Sequence, residues 1–504
     1  MEQRIILILI AFALGSTPDA RGQQEKESAA GERTGVELTI YNQNLSLVRE
    51  ERLMRLAKGM SRLALADIPS TIDATSVFFQ SLTDPNGVRV LEQNYQYDLV
   101  HQAKLLEKYL GRDVEFVRQD PETKREYSVK GKLLSTGYQT LPTYGGNIIN
   151  YQYTGGMIAE INGRIEINPE GRLVLPALPE GFIIKPQLQW LMATTREGEH
   201  RAEVSYLAGQ LSWSSNYVAL LSKDDAKIDL TGWVTLTNHS GTSFKNAGLK
   251  LVAGDINVVQ QQFENDVQFK RSQAVADATA PQFTQTDLFE YKLYTLQRRT
   301  DLNQNETKQI ELVSAHSVPA TKIFVYDGLA DSWRGWYRNH SYRSQGSFGQ
   351  QSNTKVGVYV TFKNDATSGM GMPLPKGKVR VYKQDADDKQ QFVGEDTIDH
   401  TPKDEPVRLY LGNAFDLVGE RAQKDFKSIA PGYIVEETIE IKVRNHKDET
   451  TTVQVYEHPW RWSQWEIVKS NTEWTKVDQT TISFPVKIKK DGEAVITYTI
   501  RYSW

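Results

Sequence analysis

The residues able to do chemistry in this 504-residue chain form a short inventory, with eight histidines and no cysteine. Without thiols there is no disulfide, no thiolate nucleophile, no cysteine-based metal site and no lipid attachment through cysteine. The histidines are His101, His200, His239, His316, His340, His400, His446 and His458. No two of them have the helical i, i+4 spacing of an H-E-x-x-H zinc site. His446 and His458 flank one expected hairpin and read as solvent-exposed turn residues. The stretch DADDKQ, Asp385 to Gln390, offers oxygen ligands but lacks the glycine and distal glutamate of a calcium hand loop, so it reads as a hairpin tip. No G-x-S-x-G nucleophile elbow is present. The glycines of GMGMPLPKG, from Gly369, precede a strand and present no helix N-terminus to phosphate. The sequence therefore assigns no catalytic residue, no metal ligand and no cofactor. Carboxylates are plentiful, and glycoside hydrolysis needs only two at a set separation.

Aromatic side chains are the other resource. Six of the ten tryptophans fall in two short stretches, WRGWYRNHSY from Trp333 and HPWRWSQWEIVKSNTEW from His458 to Trp474. Exposed rings would suit stacking on sugars, because flat apolar faces bury area at low entropic cost. The candidate ligand-binding residues are Trp333, Trp336, Tyr337, Trp460, Trp462 and Trp465. The competing reading, which we favour, has these rings plug the ends of a sandwich core. On a strand, Trp460 and Trp462 would share one face with Arg461 opposite.

The elements that position these residues are strands. EETIEIKVRNHKDETTTVQVYEHPWRW, from Glu436 to Trp462, places Ile439, Ile441 and Val443 on one face and Val453 and Val455 on another. A one-residue slip would invert every side chain, so its register should be firm. Period-two runs recur along the chain, with turns at Asn42 to Asn44, at Asp84-Pro85-Asn86-Gly87, around Asp120-Pro121-Glu122, at Glu197-Gly198 and at Asp491-Gly492; hairpins are expected at most of them. One helix is expected near residues 98–110, with Leu99, Ala103, Leu106 and Leu110 on one face, Asp98 as cap and Gly111 as its terminator. The expected fold is all-β, mainly antiparallel β-sandwich domains, Ig-like at the C-terminus. Expected divisions are a signal peptide (1–22), a flexible leader (23–35), an N-terminal β-rich domain with the helix (36–185), a middle sandwich (186–330) with a long loop at 260–283, and a C-terminal sandwich (331–504).

Composition narrows partner and compartment. A net charge of −4, from 59 Lys+Arg and 63 Asp+Glu, gives no basic footprint for nucleic acid. Arg4 precedes an uncharged run from Ile5 to Leu14, followed by small residues, which is a signal-peptide pattern too short to span a bilayer. No transmembrane helix is expected in the mature chain. The terminal alternation of Ile496, Tyr498, Ile500, Tyr502 and Trp504 is seen in outer-membrane barrels, but the charged strands favour the last strand of a sandwich.

Several stretches carry a resemblance: YNQNLSLVRE, LLEKYLGRDVEF, GKLLST, LSWSSNYVALL, DLTGWVTLTNHSGTSFKNAGLKLVAGDINVV and VRNHKDETTTVQVYEHPW. Together they resemble the exported bacterial proteins of domain of unknown function 4139, grouped with mucoidy-inhibitor-like proteins. The likeness runs from about Val36 to Trp504 and is most specific between Asp229 and Val259. It implies a β-rich fold in a periplasmic, outer-membrane-associated or secreted protein and carries no catalytic residues with it. The expected function is a non-catalytic binding or assembly role in the cell envelope, with an envelope protein or glycan as partner. The alternative is a glycan- or peptide-processing hydrolase on the same scaffold.

Overall fold

A computed structural model describes residues 26–28, 33–96, 102–141, 150–153, 155–177, 185–254, 282–330, 332–339, 341, 344–346, 352–387 and 389–504. The expected signal peptide, Asp98, Leu99, His101, His340 and Tyr342, and nearly all of the expected loop at 260–283, lie outside them. Strands account for 64 % of the described residues, and among these there is a single α-helix, so the fold is all-β. Pairing is mostly antiparallel, with parallel exceptions such as Ser215–Leu221 against Gly377–Lys383 and Phe324–Asp327 against Val453–Tyr456. The chain divides into two compact units.

The first unit comprises residues 1–37, 47–209 and 240–246. It contains a four-stranded sheet, in which Gln187–Thr194 lies between Gly59–Ala66 and Val88–Gln96, and a separate five-stranded sheet centred on Glu126–Ser135. The helix Gln102–Lys108 packs on the latter, burying Ala103 and Leu106. The buried face continues through Tyr109, whereas Leu110, expected on it, is exposed. The helix ends two residues early, at Lys108, and Gly111 takes the left-handed conformation expected of a terminator, donating its N–H to Leu133 O at 2.7 Å. Arg33, Thr34 and Gly35, expected in the leader, open the strand Arg33–Tyr41.

The second unit comprises residues 38–46, 210–239 and 247–504. Its framework is a sheet of thirteen strands. The long strand Glu306–Asp327 makes this possible. Its first half pairs with Lys227–Asn238, and its second half pairs with Lys355–Lys363 on one edge and Thr451–Glu457 on the other. Two cores result. One gathers Tyr217, Leu230, Val360, Val381 and Leu409. The other gathers Tyr326, Ile439, Ile441, Val443, Val453, Val455, Phe484 and Tyr498. The faces expected on Glu436–Trp462 therefore both point inward. Ile496, Tyr498, Ile500 and Tyr502 also fill this core, so the terminal alternation is that of an inner strand.

The expected hairpin at Asp491-Gly492 is not one. Gly492–Ser503 pairs with Ile434–Asn445, whereas Ile482–Ile488 pairs with Thr451–Glu457. The two segments face each other across the core, where the rings of Phe484 and Tyr498 lie 5.3 Å apart. The turn at 446–450 crosses in the same way, between two strands that do not pair. Asn445 holds both crossings together. Its buried amide nitrogen donates to the carbonyls of Glu449, Ile488 and Lys489 at 2.8, 3.2 and 3.0 Å. In the first unit, Asp84 to Gly87 likewise links Phe78–Ser81 and Val88–Gln96, which pair in different sheets.

Candidate functional site

Two chain segments meet at one end of the second unit. The first leaves the sheet at Asp327, whose Oδ1 accepts from the N–H groups of Leu329 and Ala330. A single 3-10 turn, Ser332–Gly335, then presents Trp333 and Trp336. The second leaves at Glu457. Pro459 has no N–H to continue a ladder, so His458 to Arg461 depart from strand geometry and turn inward. Arg338 N–H donates to Trp460 O at 3.1 Å and ties the two segments.

His458 is the pivot. Its Nε2 lies 3.0 Å from Asp327 Oδ2, its Nδ1 lies 3.0 Å from Thr480 O, and the Trp333 ring stacks on it at 4.5 Å and 14°. Burial alone would push the imidazole pKa down from its ordinary 6.5, but the Asp327 carboxylate and the Thr480 carbonyl outweigh burial and raise it. Acceptors at both ring nitrogens suit the doubly protonated imidazolium. His458 was expected as an exposed turn residue. It is instead 9 % exposed, because Pro459 swings it under Trp333. His446, the other residue of that pair, is exposed.

Beneath it lies a buried polar layer. Glu457 accepts from Arg421 Nε at 2.9 and 3.0 Å and from the Tyr498 hydroxyl. Glu437 accepts from Arg461 Nη2 at 3.0 Å and from Gln423 Nε2 at 2.8 Å. Burial would raise the Glu437 pKa, yet the Arg461 guanidinium prevails and holds it below the ordinary 4.5. Burial also lifts the Tyr498 phenol far above its usual range, with Glu457 adding to the rise. Both carboxylates are sealed from solvent and each is paired with an arginine, as a buried charge requires.

The structure brings five of the six candidate aromatic residues together. Trp336 meets Trp460 edge-on at 5.7 Å, Trp333 meets Tyr337 at 6.1 Å, and the Arg338 guanidinium lies 5.1 Å from the Trp462 ring. Trp460 is 1 % exposed and is core, so it offers no face to a ligand. Arg461, expected on the outer face, is fully buried against Glu437, since no strand runs there to alternate. Trp333, Trp336, Tyr337 and Trp462 are half-buried. Trp465 stands apart on the strand Trp465–Ser470, donating to Gln479 O and packing beside Trp474 and Lys476. Sequence reasoning missed Asp327, Arg421, Glu437 and Glu457. A readable signal existed for the glutamates: each occupies the inward phase of an otherwise apolar run, Glu437 with Val435 and Ile439, Glu457 with Val453 and Val455.

This arrangement can hold two segments together, but it leaves no base. With both nitrogens of His458 engaged, no lone pair is free to take a proton from a nucleophile. Glu437, whose pKa Arg461 holds below the ordinary value, is poorly suited to act as a general acid. Among the described residues, no group of three metal-ligating side chains is positioned to hold an ion. At the 385–390 tip, Asp385 Oδ1 instead accepts from the N–H groups of Asp387 and Lys389. Also among the described residues, no helix is long and apolar enough to cross a membrane. No protein-family model matches the chain, and no curated protein does.

Proposed function

We propose that the chain is an exported protein of the bacterial cell envelope with a non-catalytic binding or assembly role. The observation that carries this reading is the occupancy of His458. The most reactive group at the aromatic end is committed at both nitrogens to Asp327 and Thr480. The signal-peptide pattern from Arg4 to Leu14 and the resemblance to the domain of unknown function 4139 family support the envelope location. The test is fractionation of cells producing the full chain, followed by co-purification and assay of the recovered protein. The expected result is an N-terminally shortened chain in the periplasmic, outer-membrane or secreted fraction. It should bring down an envelope component and turn over no glycan or peptide. Hydrolysis of a substrate by that protein, or retention of the full-length chain in the cytoplasm, contradicts the proposal.

A further inference from the structure

Away from the His458 cluster, the second unit has an open groove of about 660 Å³. One wall is the strand Trp465–Ser470 and the loop to Thr475; Pro485 stands on the other. Two open strand edges line it, a setting that invites an added peptide strand. Both edges are poorly suited to one. The ladder of Trp465–Ser470 shifts register at Val468, and Pro485 has no N–H to donate. The side chains fit a different ligand. Trp474 is 36 % exposed, and Trp465, 6.4 Å from it, backs the wall with Lys476 over its ring. The neighbouring loop is fixed. Asn471 exchanges backbone and side-chain hydrogen bonds with Thr497 and donates to Val495 O, while Ser470 Oγ donates to Thr472 O at 2.6 Å. The side chains of Lys469 and Glu473 are exposed and have no hydrogen-bond or ion-pair partner among the described residues. A flat apolar ring on a rigid mount, with an unspent donor and acceptor beside it, matches the alternating apolar face and hydroxyl rim of a sugar ring.

We propose that this groove binds a pyranose-containing glycan, with Trp474 as the stacking surface and Lys469 and Glu473 as hydroxyl partners. The inference rests on the reading of the chain as a binding protein and names the class of ligand. It is tested by retention of the full chain on purified peptidoglycan sacculi, chitin and amorphous cellulose. Retention on at least one is expected. Trp474→Ala should lower it at least tenfold, Trp474→Tyr should keep most of it, and Glu473→Gln should weaken it severalfold, while Phe415→Ala, at an exposed ring outside the groove, leaves it unchanged. Absence of retention on all three, or unaltered retention of Trp474→Ala, overturns the proposal. So does retention that survives digestion of the glycan strands of sacculi to free peptides. In those cases co-purification with an envelope protein would leave the broader reading standing, whereas hydrolysis of the polysaccharide would remove that reading instead.

Discussion

Two opposite titrations meet at the aromatic end. The His458 pKa is raised above its unfolded value near 6.5, so its contribution to stability is complete below that pH and is lost as pH rises through the folded value. The Glu437 pKa is lowered below 4.5, so its contribution is present above that pH and is lost as pH falls through the folded value. Asp327→Asn keeps an acceptor for the turn N–H groups while removing the charge that faces His458. The gap in denaturation midpoint between this variant and the wild type should be widest on the acidic side of neutrality and narrow as pH rises. A gap independent of pH contradicts the assignment. Arg461→Met strands a buried carboxylate and should cost about 3–5 kcal/mol in urea unfolding. Adding Glu437→Gln should recover part of that loss, because a paired deletion leaves no uncompensated charge. A double variant as unstable as the sum of its parts would show that the two side chains are not coupled.

The strands explain both what the sequence reveals and what it conceals. Alternation places Ile439, Ile441 and Val443 inward, and the structure agrees, because burying one face fixes the register. Alternation does not distinguish a hairpin from a crossing between strands that do not pair. In both, two period-two runs flank a polar turn, and only the partners differ. The Asp-Gly signal at Asp491 therefore misleads, as does Asp84-Pro85-Asn86-Gly87. Neither the pairing of Ile482–Ile488 with Thr451–Glu457 nor the clasp of Asn445 has a local signature. The site was legible to the same degree. The clustering of the tryptophans follows from their spacing, but the inward turn of His458 and Arg461 depends on Pro459 ending a strand whose partners lie far away in sequence. If Asn445 secures both crossings, Asn445→Ala leaves buried carbonyls unpaired and should cost about 1–3 kcal/mol per group exposed in this way. Wild-type stability in that variant would show that the clasp is incidental. Gly419→Ala should also destabilise, since a Cβ there would overlap the buried ring of Tyr326. Thermal unfolding measures both.

At the scale of the molecule, the apolar face of Gly492–Ser503 is spent on the core, not on an outer surface. Purified mature chain should therefore remain monodisperse in buffer without detergent; dependence on detergent in light scattering would contradict that use of the terminal strand. At one end of the second unit, Asp327, Arg421, Glu437, Glu457, His458 and Arg461 act as fasteners, and the proposed binding role falls to its exposed grooves. The decisive measurement is a long-range proton–nitrogen correlation spectrum of the His458 imidazole near neutral pH. The account predicts that both ring nitrogens carry protons, with a pKa above 6.5 that falls in Asp327→Asn. A neutral ring with one bare nitrogen, open to solvent or to an added substrate, would contradict it.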